Sequence, residues 1–264
     1  MSATVTRGPA RLHVEHYGDP ASAKTPLLLI HPINTRGAVW AEVVPAFAEE
    51  RFVVVPDMSG FGASSTVDEY SLELWAADCL AVADDAGLAR FHAIGGSLGG
   101  TIATWLGGNY PDRVASIMAI GSPLFTLGGD KADVLKTLET KSVPDMFAEI
   151  IPKYSLAPGT SPEIVERVLA TCNPNGPDDV RAVWRAANNS DARPQAARAA
   201  GVTPATVVTG EFDFTCPPEG GREFAAALDA PHVLLPGLGH IPMLEDPAAT
   251  IAVIREHLAR VEAA

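Results

Sequence analysis

The sequence predicts an α/β fold, with a mostly parallel central sheet, helices on both faces and an inserted helical cap. Three observations predict it. Short runs apolar at every position, such as Pro26-Leu27-Leu28-Leu29-Ile30 and Phe52-Val53-Val54-Val55, mark strands buried on both faces. These runs alternate with segments of helical periodicity, the pattern of parallel strands joined by right-handed crossovers. Between Ser122 and Gly201 the rhythm lapses into short helical patterns without a buried strand.

Taken in order, the alternating segment from Arg11 to Tyr17 reads as a half-buried strand, and the run ending at Ile30 as the first central one. Residues Val39 to Phe47 have helical spacing and lead to the Phe52–Val55 strand, which ends in the turn-rich loop Pro56 to Ser64. Ser71 is placed to cap a helix whose stripe is Leu72, Trp75, Ala76, Cys79, Leu80 and Ala83. A strand from Phe91 follows, then a helix from Leu98 to about Tyr110 stopped by Pro111, then a strand around Ile117 to Ile120. After the lapse come a strand over Thr203–Val208, a helix over Pro217–Leu228 and a short strand at Val233–Leu235. Asp246-Pro247 caps the last helix.

About 80 residues of helix cannot all cover one sheet, so residues 122–201 are expected to form a cap over a sheet edge, inserted into a core of 1–121 and 202–264. Breakers such as Gly128-Gly129, Pro144 and Pro158-Gly159 divide the insertion, and Ser161-Pro162 starts one of its helices.

In Phe91 to Gly100 an apolar run stops at glycines, presents one serine and enters a helix. Gly95, Ser97 and Gly99 fit G-x-S-x-G, in which the serine sits on a strained turn that lifts its hydroxyl off the sheet edge. The turn puts the Leu98 N–H at a helix N-terminus, which favours a developing negative charge. Glycine-rich turns also bind phosphate, but the G-x-G-x-x-G spacing and the phosphate-loop lysine are missing. Asp213 and His240 each follow a predicted parallel strand, so both are expected at the same carboxyl edge as Ser97. Serine, aspartate, histidine is the chain order of a nucleophile-elbow triad.

A net charge of −13 argues against a nucleic-acid backbone as partner, which would need a basic face. No apolar run approaches the roughly 20 residues of a membrane helix, and Met1 to Arg7 lacks the pattern of a secretory signal, so a cytoplasmic setting is expected. Three cysteines, Cys79, Cys172 and Cys216, show no metal-ligand spacing and read as small buried apolar residues.

Four stretches make the sequence resemble the α/β-hydrolase superfamily: His31-Pro32-Ile33-Asn34 with Trp40, Asp57 to Ser64, the elbow, and the strand ends at Asp213 and His240. The resemblance implies catalytic Ser97, Asp213 and His240, with Ile33 and Leu98 supplying the oxyanion-hole amides. The family usually carries His-Gly where this chain has His31-Pro32, and proline has no N–H to donate. Asn34 N–H is the alternative donor. Glu211 is the alternative acid, Asp57 is expected to brace its loop, and Glu245 and Asp246 read as helix N-terminal residues. Arg36 reads as a solvated arginine, with binding of a substrate carboxylate as its other role.

The expected activity is hydrolysis of a small carboxylic ester or lactone through an acyl-enzyme on Ser97, without metal or organic cofactor. Asn34, Trp40, Phe125, Phe147 and Trp184 are the expected pocket residues. The alternatives are carbon–carbon bond hydrolysis of a ring-cleavage diketone and a non-catalytic ligand-binding receptor of the same fold. The expected partner is a small-molecule substrate, with neither nucleic acid nor membrane, and the expected state is a monomer or homodimer.

Overall fold

The computed structural model describes residues 1–126 and 136–263; Gly128-Gly129 lies outside them. The sheet has eight strands: β1 (Ser2–Arg7), β2 (Ala10–Tyr17), β3 (Leu27–Ile30), β4 (Val53–Pro56), β5 (Phe91–Gly96), β6 (Val114–Ile120), β7 (Ala205–Gly210) and β8 (His232–Leu235). Their order across the sheet is β1-β2-β4-β3-β5-β6-β7-β8. β3 to β8 run parallel, while β2 pairs antiparallel with both β1 and β4. β1 departs from expectation: only Val5 of its six residues is buried, so it lacks the apolar run that marks the central strands.

The longer helices are α1 (Leu72–Asp85), α2 (Leu98–Asn109), α3 (Val143–Tyr154), α4 (Pro162–Ala170), α5 (Pro177–Ala187), α6 (Arg193–Ala199), α7 (Pro218–Ala227) and α8 (Pro247–Glu262). Because side chains alternate along a strand, Leu28, Ile30 and Ala93 join one core and Leu27, Leu29 and Ile94 the other. The first core takes in Trp75 of α1, Ile102 of α2 and Phe224 of α7. The second takes in Trp40, Phe47 and Ile254 of α8, which closes the opposite face. Helix starts follow their caps: Ser71 accepts from Leu74 N (3.1 Å), Ser161 from Ile164 N (3.4 Å) and Asp246 from Ala249 N (2.9 Å), each cap worth about 1 kcal/mol. The segment with helical spacing at Val39–Phe47 divides into a single 3-10 turn at Gly37–Trp40 and a short helix at Pro45–Ala48, whose first position is the proline.

α3 to α6 occupy the stretch between β6 and β7. The last of them, α6, packs Ala196 and Ala199 into the same core as Ala103 of α2. α3, α4 and α5 send Met146, Phe147, Val168 and Val180 to the opposite core, beside Met243 and Leu244.

Under the sheet α8 seals a polar chain. Arg260 Nη2 donates to Thr206 Oγ1 (2.7 Å), Thr206 Oγ1 pairs with His257 Nδ1 (2.8 Å), and His257 Nε2 with Ser116 Oγ (2.8 Å). Ser116 Oγ meets His92 Nδ1 (2.7 Å), and His92 Nε2 meets Glu262 Oε1 (3.2 Å), which Arg51 also contacts (2.6 Å). Starting from the arginine, which can only donate, one direction of donation satisfies every link, and it requires both histidines to be neutral. Burial accordingly pushes His92 down to about 4 and His257 to about 3.

Candidate active site

The turn between β5 and α2 is held in a backbone conformation side chains rarely adopt. Ser97 has φ 50° and ψ −121°, and its N–H donates to Ile120 O at the end of β6 (2.8 Å). The neighbouring glycines are sterically required. A Cβ on Gly95 would lie 2.1 Å from Gly99 C, and one on Gly99 would lie 2.2 Å from Ile30 O, so helix and strands touch through backbone.

β7 ends at Gly210 and the loop after it carries Asp213. Oδ1 of Asp213 accepts from Thr215 N (2.9 Å) and Cys216 N (2.7 Å), leaving Oδ2 to accept from His240 Nδ1 at 2.9 Å. The pair is buried. With Nδ1 donating to the carboxylate, Nε2 of a neutral His240 is the free acceptor. Glu211 is engaged elsewhere, accepting from Gly237 N (2.8 Å), so Asp213 is the acid that meets the histidine.

Ser97 and His240 line one cavity of 270 Å³, together with Ile33, Leu98, Asn34 and Trp184. Among the described residues Ser97 Oγ makes no hydrogen bond to His240; such bonds are often long before substrate binds. The N–H groups of Ile33 and Leu98 likewise have no partner among the described residues.

Pro32 leaves its loop well determined. Its carbonyl accepts from Thr35 N (3.2 Å), Thr35 Oγ1 (3.2 Å) and His31 Nδ1 (2.8 Å), and His31 Nε2 accepts from Met58 N (3.2 Å). Burial lowers the pKa of His31, consistent with a neutral ring serving as both donor and acceptor. Asp57 braces the adjoining loops, accepting from Gly37 N (2.7 Å) and Ala63 N (2.9 Å).

A family model for the alpha/beta hydrolase fold matches residues 25–247. The chain belongs to that family. The chain is similar to 3-oxoadipate enol-lactonase 2 of Acinetobacter baylyi, with 24% identity over 89% of each chain. It also resembles the 2-hydroxymuconate semialdehyde hydrolase of a Pseudomonas species, 35% identical over 39% of this chain; that match spans 38% of the relative's length. Among solved structures, the enol-lactonase from Burkholderia xenovorans superimposes with a TM-score of 0.88 at 22% identity, covering 98% of this chain and all of that one (100%). Among the described residues no helix is long and apolar enough to cross a membrane.

Three expected pocket residues lie elsewhere. Trp40 is fully buried in the core between the sheet and α8, where an indole of that size is best kept from water. Phe147 packs in the same core and borders a second cavity beside Cys172 and Asn173. Phe125 is 42% exposed, with the Arg193 guanidinium 4.2 Å from its ring centre. Arg36 donates to Ala170 O (3.2 Å) and does not reach the cavity.

Sequence reasoning missed Thr101, Asn188, Ser190, Phe214, Thr215 and Cys216 in the lining. Two signals were available: Thr101 lies four residues after Ser97, on the same face of α2, and Phe214–Cys216 continue directly from Asp213. Burial pushes the thiols of Cys79 and Cys172 up, the latter to about 12, as befits inert apolar residues. Cys216 alone of the three faces the cavity. Among the described residues the lining holds no lysine, arginine, aspartate or glutamate.

Proposed function

We propose that this hydrolase cleaves a small, uncharged carboxylic ester or lactone through an acyl-enzyme on Ser97. The observation that carries the reading is the buried His240–Asp213 hydrogen bond, whose histidine shares a cavity with a serine on a strained turn.

His240 Nε2 takes the Ser97 proton as Oγ attacks the carbonyl carbon, and Asp213 holds the imidazole in the required tautomer and stabilises its charged form. The unpartnered amides of Ile33 and Leu98 receive the oxyanion, each worth roughly 3 kcal/mol of barrier lowering. His240 then returns the proton to the leaving alcohol, and a water activated by the same nitrogen releases the acid. The helices α3 to α5 act as a cap, and α3 and α5 supply Ile150, Tyr154 and Trp184 to the cavity wall.

The cavity's modest volume favours a short acyl group, and its uncharged lining favours a neutral one. Likeness to enol-lactonases over nearly the whole chain supports including lactones in the substrate class. The test is turnover of p-nitrophenyl butyrate, a panel of lactones and a vinylogous diketone by the parent and by Ser97→Ala. Ester or lactone turnover that vanishes in the variant is expected; turnover of the diketone alone would replace the reading with carbon–carbon hydrolysis.

A further inference from the structure

Glu245 was expected only to begin a helix, yet its carboxylate is buried and collects three backbone amides. Oε2 accepts from Gly239 N (3.0 Å) and Ala157 N (2.9 Å), and Oε1 accepts from Ile241 N (3.1 Å). Gly239 and Ile241 flank His240. The N–H of His240 itself donates to Ser155 O at 2.8 Å. Three consecutive amides of the histidine loop therefore end on one carboxylate and one carbonyl.

Capping the short helix Pro242–Glu245 requires only the bond from Ile241, at its N-cap. The other two bonds serve no helix. One fixes the peptide before His240, and the other reaches Ala157, in the inserted segment just beyond α3. Contact there is close: a Cβ on Gly239 would lie 2.7 Å from Ala157 N. The same segment also holds the acid loop, because Thr215 Oγ1 donates to Tyr154 O (2.9 Å) while Thr215 N binds Asp213. Residues 154–157 thus touch both loops that meet at the His240–Asp213 pair. Burial raises the Glu245 pKa, while the three amides and the nearby His240 oppose that shift. Among the described residues no lysine or arginine pairs with this carboxylate.

We propose that Glu245 is a positioning residue for His240, clamping the amides on either side of the histidine to the Ser155–Ala157 segment so that proton transfer at Ser97 depends on that segment being docked. The proposal rests on the serine-hydrolase reading above. Its chemistry is specific to a carboxylate: a glutamine offers one acceptor oxygen and one amide nitrogen, so at least one of the three N–H donors faces another donor.

The test compares the parent with E245Q and E245D, measuring kcat and KM on p-nitrophenyl butyrate, the rate of fluorophosphonate labelling and Tm. E245Q is expected to lose roughly 10- to 100-fold in kcat, since small misplacements of a catalytic group cost that much. KM should stay within about threefold. Labelling should slow in parallel. E245D keeps a carboxylate but retracts it from the three amides, so it should lose kcat in the same way, with KM again within about threefold.

A merely structural Glu245 gives a different result: Tm falls, but kcat and labelling rate well below Tm match the parent. That outcome overturns the proposal. Should E245Q not fold, E245D decides by the same criterion. Failure of the underlying reading is separately visible, because the parent itself would then take no fluorophosphonate.

Discussion

The indole N–H of Trp184, on α5, donates to Asn34 Oδ1 at 3.0 Å, joining the inserted helices to the loop that carries Ile33. Asn34 is held from the same side by its backbone, whose carbonyl accepts from Asn173 N (2.9 Å). Trp184→Phe keeps most of the ring volume and removes the donor. We expect a stability loss of about 1 kcal/mol and a roughly tenfold fall in kcat/KM through loosening of the loop. Denaturant melts and steady-state kinetics check both; unchanged kinetics would show that this contact serves packing alone.

The uncharged lining predicts discrimination by charge as well as by size. The p-nitrophenyl monoester of succinate resembles the butyrate ester but ends in a carboxylate, which would enter a cavity without a cationic partner among the described residues. Its kcat/KM should be lower by roughly 10- to 100-fold. Equal rates for the two esters would contradict the assignment of this cavity to neutral substrates.

Gly99→Ala tests the elbow's packing. The added Cβ would lie 2.2 Å from Ile30 O, a backbone atom that cannot step aside. A loss of at least about 3 kcal/mol is expected, near 10 °C in Tm for a chain of this size. A variant melting with the parent would mean that α2 sits further from β3 than described.

The central strands were legible because burial on both faces leaves an unmistakable apolar run, and the strand ends, read with the G-x-S-x-G motif and the Ser-Asp-His chain order, then placed Ser97, Asp213 and His240 at one sheet edge. β1 was not, since an edge strand with one buried residue carries no such signal. Periodicity identified Trp40 and Phe147 as apolar but could not separate residues that fill a core from residues that wall a cavity. Glu245 escaped for a related reason: its partners Ala157 and Gly239 lie 88 and 6 residues away, and only the tertiary structure brings them together.

The chain of donors beneath the sheet predicts acid sensitivity. His257, lowered to about 3 by burial, then by the Arg260 cation and His92, with Glu262 opposing, stays neutral in the fold while an unfolded chain protonates it below 6.5. Stability present above pH 6.5 is therefore lost as pH falls from there toward 3, because the unfolded state binds the extra proton. His257→Gln should be less stable than the parent at pH 7.5, and the gap should narrow as pH is lowered to 4.5. A gap independent of pH, measured by urea unfolding, would contradict a neutral His257.

The central claim is that Ser97 is an activated nucleophile. Intact-mass spectrometry after exposure to a fluorophosphonate tests it most directly, with Ser97→Ala beside the parent. One adduct on the parent and none on the variant is the predicted result; no adduct on the parent, or equal labelling of both, would contradict it.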